Sequence, residues 1–118
     1  MISSNILAGM MEYIRGLGFR SHMNRLRLHY LLRQNGFYSR IHAYEYLLGF
    51  KGSIIGIMVV DPTTNIATLY THVKLESQVV NRLRECIRAV GGRDLMLKSV
   101  GVYFSEPKRD TKDLDTTE

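Results

Sequence analysis

The sequence predicts an α/β domain in which two helices precede three strands, followed by a third helix and a last strand. Three patterns support this order. Apolar residues recur at helical spacing in residues 3–17 and 77–90, residues 54–60 form an unbroken apolar run, and residues 66–74 alternate between apolar and polar. The first pattern is typical of amphipathic helices, and the other two are typical of strands.

The first helix is predicted for residues 3–17, with Ser3 or Ser4 as its cap and Gly16 and Gly18 at its end. Its apolar face consists of Ile6, Leu7, Met10, Met11, Ile14 and Leu17. A second helix is predicted for residues 22–35, capped by Ser21 and stopped by Asn35 and Gly36. A strand remains an alternative for this segment, because Leu26, Leu28, Tyr30 and Leu32 also alternate.

A strand is predicted from Phe37 to about Leu47, where the period becomes two. One face would then carry basic and aromatic side chains, namely Tyr38, Arg40, His42, Tyr44 and Tyr46. The apolar run 54–60 is expected to be a central strand covered on both faces.

Residues 61–65, Asp-Pro-Thr-Thr-Asn, predict a turn into the strand 66–74. On that strand Thr68, Tyr70, His72 and Lys74 share one face. The helix 77–90 then leads to a last strand in residues 95–104, and Cys86, the only cysteine, is expected to be a buried, inert thiol.

Length and charge indicate one α/β domain, residues 1–104, followed by a polar tail, residues 105–118, that we expect to be disordered. Of the 16 basic and 11 acidic residues, the tail holds three basic and five acidic ones, which leaves 13 against 6 in the body. Neither a signal peptide nor a membrane span of about 20 apolar residues is indicated, so we expect a cytoplasmic or otherwise intracellular protein without a membrane partner.

Basic residues concentrate in one part of the body. No carboxylate occurs between Glu12 and Glu45, whereas this stretch contains Arg15, Arg20, Arg25, Arg27, Arg33 and Arg40. Because arginine forms bidentate contacts with phosphate, this stretch favours a nucleic-acid partner. The alternative is a solvated basic face that aids solubility.

The predicted order, with its extra first helix, resembles the αβββαβ core of the restriction-endonuclease-like, or PD-(D/E)xK, nucleases, which include archaeal Holliday junction resolvases. The likeness covers residues 23–104. Residues 31–37 resemble the end of that family's first core helix, residues 58–62 its second strand, and residues 77–91 its following helix. His72-Val73-Lys74 falls where the family has its Glu-x-Lys.

The resemblance implies a magnesium site built from an Asp on the second strand and the Glu of Glu-x-Lys. In this chain Gly56 or an apolar neighbour stands near the first position, His72 replaces the Glu, and Lys74 is kept. Asp61 could be a displaced ligand or a turn residue, His72 could hold a softer metal such as Mn²⁺ or Zn²⁺, and Glu45 is a third acid in reserve.

We therefore expect a nucleic-acid-binding protein on a nuclease-like scaffold, without the usual magnesium site and without a cofactor. Its first expected partner is DNA, as the resemblance implies. Its expected binding residues are Arg25, Arg27, Arg33, Tyr38, Arg40, His42, Tyr44, Tyr70 and Lys74. One alternative is a divergent endonuclease or resolvase that uses Mg²⁺ or Mn²⁺, with Asp61 and His72 as metal ligands and Lys74 as a further catalytic residue. Another is a homodimeric interaction module, without nucleic acid, in which Met10, Met11 and the first helix form the interface.

Overall fold

The computed structural model describes residues 3–101, which form a mixed α/β fold with three α-helices and one five-stranded mixed sheet. The elements in chain order are α1 (Ser4–Gly16), a 3₁₀ turn (Gly18–Arg20), α2 (His22–Gln34), β1 (Phe37–His42), β2 (Glu45–Phe50), β3 (Ser53–Val60), β4 (Ile66–Thr71), α3 (Ser77–Ala89) and β5 (Asp94–Ser99). The predicted tail, 105–118, and the end of the predicted last strand lie outside the described residues.

The sheet follows the chain in its strand order, β1-β2-β3-β4-β5. The first four strands are antiparallel neighbours. Strand β5 lies parallel to β4, because α3 returns the chain to the end of the sheet at which β4 begins. All three predicted helices are confirmed to within two residues at each end. Cys86 is buried on α3 as predicted, and burial raises the pKa of its thiol.

The prediction of a single strand from Phe37 to Leu47 is wrong, because a hairpin divides this segment into β1 and β2. The two-residue turn is Ala43-Tyr44, and Ala43 has a φ of 54°. Turns of this kind usually carry Asn or Gly, so the sequence gives no turn signal here. The reversal places Glu45 directly opposite His42 and sends Tyr46 into the core.

The core lies between one face of the sheet and helices α2 and α3. Its members with no exposed surface come from both layers and include Leu28 and Leu32 of α2, Leu83 and Ile87 of α3, and Tyr46, Leu48, Met58, Ala67 and Leu69 of the sheet. The hydroxyl of Tyr46 donates a hydrogen bond to the carbonyl of Arg25 at 2.6 Å, so the buried phenol is satisfied.

The other face of the sheet is uncovered within residues 3–101. Ile54 and Ile57 of β3 are 47% and 48% exposed, so the expectation that this strand is covered on both faces is wrong for the described part of the chain. A bulge in the β2–β3 pairing, beside Leu48 and Gly49, brings these side chains to the open face while Ile55 and Met58 point to the core.

Helix α1 is held only at its last turn. Ser3 caps its start by accepting a hydrogen bond from the amide of Ile6 at 3.2 Å, yet none of its residues is buried. At its end, the side-chain amide of Asn24 donates to the carbonyl of Ile14 at 2.6 Å. The rest of α1 therefore projects from the body of the protein.

Asn65 joins three parts of the chain at this same end. Its side-chain oxygen accepts from the amide of Phe19 at 2.9 Å, and its side-chain nitrogen donates to the carbonyl of Gly91 at 2.7 Å. Its own carbonyl accepts from the amide of Arg93 at 2.8 Å, and its backbone has a φ of 64°. The β3–β4 turn is thereby fixed to the segments that follow α1 and α3.

Among the described helices, none has the length and apolar character needed to cross a membrane.

Candidate nucleic-acid interface

The outer residues of β1 form a basic and aromatic row at one edge of the sheet. Tyr38, Arg40 and His42 are exposed, whereas Phe37 and Ser39 point inward. Behind the strand, His29 of α2 and Ser39 share a hydrogen bond of 2.9 Å. Burial, aided by the charge of Arg33, lowers the pKa of His29. This neutral buried pair fixes the face that β1 turns to α2.

A cleft of about 750 Å³ opens where β1 begins and the β2–β3 turn ends. Arg33 and Lys51 supply its cations, Tyr38 and Phe50 supply its rings, and no described carboxylate lines it. The Lys51 ammonium lies 5.6 Å from the centre of the Phe50 ring. We call Arg33, Tyr38, Arg40, His42 and Lys51 the edge surface.

Arg82 of α3 reaches the same ring from the helix side. Its guanidinium lies 5.9 Å from the centre of the Phe50 ring and donates to the carbonyl of Asn35 at 3.3 Å. That carbonyl lies at the C-terminal end of α2, where the helix dipole is negative. Arg82 therefore offsets the negative end of the α2 dipole beside the cleft.

The edge surface has cations without acidic partners. The ion pairs of the described residues join Arg15 to Glu12, and both Arg84 and Arg88 to Asp94. Within residues 3–101, Arg33, Arg40 and Lys51 thus have no carboxylate within ion-pair distance. The nearest acid along the sheet is Glu45, the strand partner of His42.

Tyr70 faces the same side of the sheet as Arg40 but at a distance. The strand pairings align Arg40, Leu47, Ile57, Tyr70 and Lys98 in one row across the five strands. Three strand spacings separate Arg40 from Tyr70, about 14 Å. The side chains between them are apolar, so Tyr70 lies outside the edge surface.

His72 and Lys74 follow the end of β4 instead of belonging to the strand, and both are exposed. His72 lines an apolar depression of about 490 Å³, together with Leu47, Ile54, Ile57, Tyr70 and Val100. The predicted alignment of Tyr70, His72 and Lys74 on one strand is therefore wrong beyond Thr71.

Arg25 and Tyr44, both predicted to bind nucleic acid, contact each other. The guanidinium of Arg25 stacks over the Tyr44 ring and donates to the carbonyl of Phe19 at 2.6 Å. Arg25 is only 9% exposed and its guanidinium is engaged within the fold, so it lies outside the edge surface. Its spacing of three and seven from Leu28 and Leu32 is the signal that places it on the buried side of α2. Arg27 lies on α2 and is partly exposed.

The residues of the predicted metal site are not brought together. The Asp61 amide pairs with the carbonyl of Ile66, at the start of β4, whereas His72 and Lys74 follow its end. Six residues of extended strand separate these ends by about 20 Å. Asp61 accepts from the Thr63 amide at 2.8 Å, a bond that lowers the pKa of its carboxyl, as expected for a turn residue.

No group of three His, Cys, Asp or Glu side chains suited to a metal ion occurs in residues 3–101.

The sequence did not predict that Lys51, Phe50 and Arg82 belong to the site. There, Lys51 and Gly52 indicate only a break between two strands. The tight β2–β3 hairpin is what brings Lys51 beside Arg33.

Comparisons of the chain with protein-family models, curated proteins and solved structures found no match.

Proposed function

We propose that the protein binds nucleic acid through the edge surface. The observation that carries this proposal is the cleft in which Arg33 and Lys51 lie beside Tyr38 and Phe50 with no described carboxylate lining it. Cations without acidic partners attract phosphate, and their binding releases the counterions condensed on the nucleic acid. An exposed tyrosine beside them offers a surface on which an unpaired base can stack.

The shape of the edge surface suits a strand of nucleic acid that runs along β1. Tyr38, Arg40 and His42 are alternate residues, so their side chains lie about 7 Å apart on the same face. This is close to the spacing of successive phosphates in an extended single strand, which favours a single strand or a duplex end over the side of a duplex. DNA remains the first expected partner, as the nuclease resemblance implies.

We propose further that the scaffold is nuclease-like without the usual magnesium site. Strands β2, β3 and β4, helix α3 and the parallel strand β5 supply the βββαβ part of that core order. Strand β1 is an addition to it. The endonuclease alternative depends on Asp61, His72 and Lys74 acting together, and their placement at opposite ends of β4 gives it no support.

A binding assay with charge-matched variants tests the proposal. Fluorescence anisotropy would follow the binding of labelled single-stranded and duplex DNA over a range of salt concentrations, for the wild type and for Arg33→Ala/Arg40→Ala. The control is Arg84→Ala/Arg88→Ala, which removes the same charge from the pairs with Asp94. The slope of log affinity against log salt is negative. For each phosphate that a variant no longer neutralises, it should become less negative by about 0.7 for a single strand and about 0.9 for a duplex.

We expect the edge variant to lose most of its affinity and salt dependence, and the control to keep both. Equal losses in the two double variants would mean that net charge, and not the edge surface, drives binding. Wild-type binding that is absent or indifferent to salt would contradict a nucleic-acid function altogether.

A further inference from the structure

Two apolar surfaces lack a partner within residues 3–101. On α1, five large apolar side chains are between 49% and 70% exposed: Ile6, Leu7, Met10, Met11 and Tyr13. We call them the helix stripe. On the open side of the sheet, Ile54, Ile57, Tyr70 and Met96 are between 40% and 49% exposed, with Leu47 among them. We call these five residues the sheet centre.

Each of the two surfaces has the apolar composition typical of a surface that is buried against another part of a protein. An antiparallel sheet with one face in water normally alternates between apolar and polar residues, whereas β3 is apolar on both of its faces. A helix of 13 residues such as α1 is marginally stable when isolated in water and depends on packing of its apolar face. Both surfaces also form larger patches than the scattered apolar residues of ordinary protein surfaces.

Helix α1 cannot cover the sheet centre of its own chain. Its last turn is tied to α2 by the bond from Asn24 to Ile14, and the carbonyl of Arg15 lies against Gly91 at the end of α3. These contacts hold α1 on the side of the sheet where the other helices pack. The sheet centre lies on the opposite side.

The two surfaces match in size and in polarity. A helix of 13 residues is about 20 Å long, which is close to the length of the six-residue strand β4. Its diameter of about 10 Å spans about two strand spacings, the width of the apolar depression between β2 and β4. The charged residues of α1, Glu12 and Arg15, pair with each other at 3.3 Å on the side away from the stripe.

We propose that the helix stripe of one copy packs on the sheet centre of a second copy, and the reverse. Such a contact is isologous, so each chain contributes both surfaces. Nine large side chains per chain, each between 40% and 70% exposed, together with the partly buried Leu47, then supply roughly 1,000 Å², which exceeds the approximately 800 Å² per partner of a standard interface. Packing along β3 and β4 would leave Tyr38, Arg40 and His42 of β1 open, although Leu47 and Ile54 also line the cleft beside Lys51. The oligomeric state is measured without nucleic acid, so the two proposals are tested separately.

Oligomeric state provides the first test. Sedimentation velocity would be measured on the full chain, freed of nucleic acid, for the wild type and for Met10→Glu and Ile57→Glu, one substitution in each surface. The controls are Ala8→Glu, on the polar side of α1, and Ser53→Glu, at the exposed start of β3. We expect the wild type and both controls to be dimers and both apolar-surface variants to be folded monomers, as checked by circular dichroism.

Disulfide trapping distinguishes helix-on-sheet packing from pairing of two α1 helices. Met10→Cys and Ile57→Cys proteins, mixed and oxidised, should form a linked heterodimer much faster than either protein links to itself, since the native Cys86 is buried. A monomeric wild type would overturn the proposal, because a second copy would then not cover the helix stripe and the sheet centre. An Ile57→Glu protein that stays dimeric while Met10→Cys links to itself would overturn it in favour of helix pairing.

Discussion

The guanidinium of Arg25 lies 4.3 Å from the centre of the Tyr44 ring, and this stack joins helix α2 to the turn between β1 and β2. The pair places a cation over an aromatic face that is otherwise exposed in the turn. Arg25 also closes the 3₁₀ turn by its bond to the carbonyl of Phe19. Two residues whose types suit nucleic acid are thus used to fix the fold.

Replacing Arg25 with Ala should lower the free energy of unfolding by about 2–3 kcal/mol. The change removes a buried charged hydrogen bond and a cation–π contact, and it leaves the Phe19 carbonyl without its partner. Urea denaturation measures the effect. Arg33→Ala, which removes an exposed charge, is the control and should stay within about 0.5 kcal/mol of the wild type. Equal stabilities of the two variants would show that Arg25 has no structural role.

Substitution of Asn65 should separate its backbone role from its side-chain role. Asn65→Gly keeps the φ of 64° accessible but removes the bonds to Phe19 and Gly91, so we expect a loss of about 2–3 kcal/mol. Asn65→Ala adds the cost of a left-handed backbone, about 1 kcal/mol more. Thermal denaturation would rank the stabilities of the two variants and the wild type. A Gly variant as stable as the wild type would mean that the side-chain amide contributes nothing.

His29 should make the free energy of unfolding decrease as the pH is lowered. Because its pKa is lower in the folded state than the ordinary value of 6.5, the unfolded chain binds the proton more tightly. The stability that the neutral ring contributes is fully present above about pH 6.5 and is lost as the pH falls below it. Urea midpoints between about pH 5 and 7.5 should decline less steeply for His29→Gln than for the wild type. His42→Gln, which alters an exposed ring, is the control, and an unchanged slope in His29→Gln would contradict the assignment.

Gly56→Ala should destabilise the sheet by more than about 2 kcal/mol, whereas Gly9→Ala should not. Gly56 has a φ of 152°, and a Cβ there would collide with the carbonyl of Tyr70 on the neighbouring strand. Gly9 lies in α1 with nothing near its Cβ position, so alanine there should stabilise the helix by up to about 1 kcal/mol. Thermal unfolding of the two proteins compares them directly, and similar melting temperatures would contradict the close approach at Gly56.

The helices and the β3–β4 hairpin follow from local sequence, because capping residues, apolar spacing and the Asp61 turn act over a few residues. The β1–β2 hairpin does not, since its turn uses Ala43 in a backbone conformation that alanine seldom adopts. The cleft depends on where a second hairpin delivers Lys51 relative to α2, which only the sheet pairing determines. For the same reason the sequence left open whether Asp61 is a turn residue or a metal ligand beside His72, and the structure separates the two by the length of β4.

The bond between Asn65 and Phe19 links residues 46 positions apart, and it therefore forms only after the hairpin and the helical segment have met. The anchorage of α1 consequently belongs to the same cooperative unit as the β3–β4 hairpin, although α1 itself makes few contacts with the body. In amide exchange, the Phe19 amide should therefore exchange only with the slow opening of that hairpin.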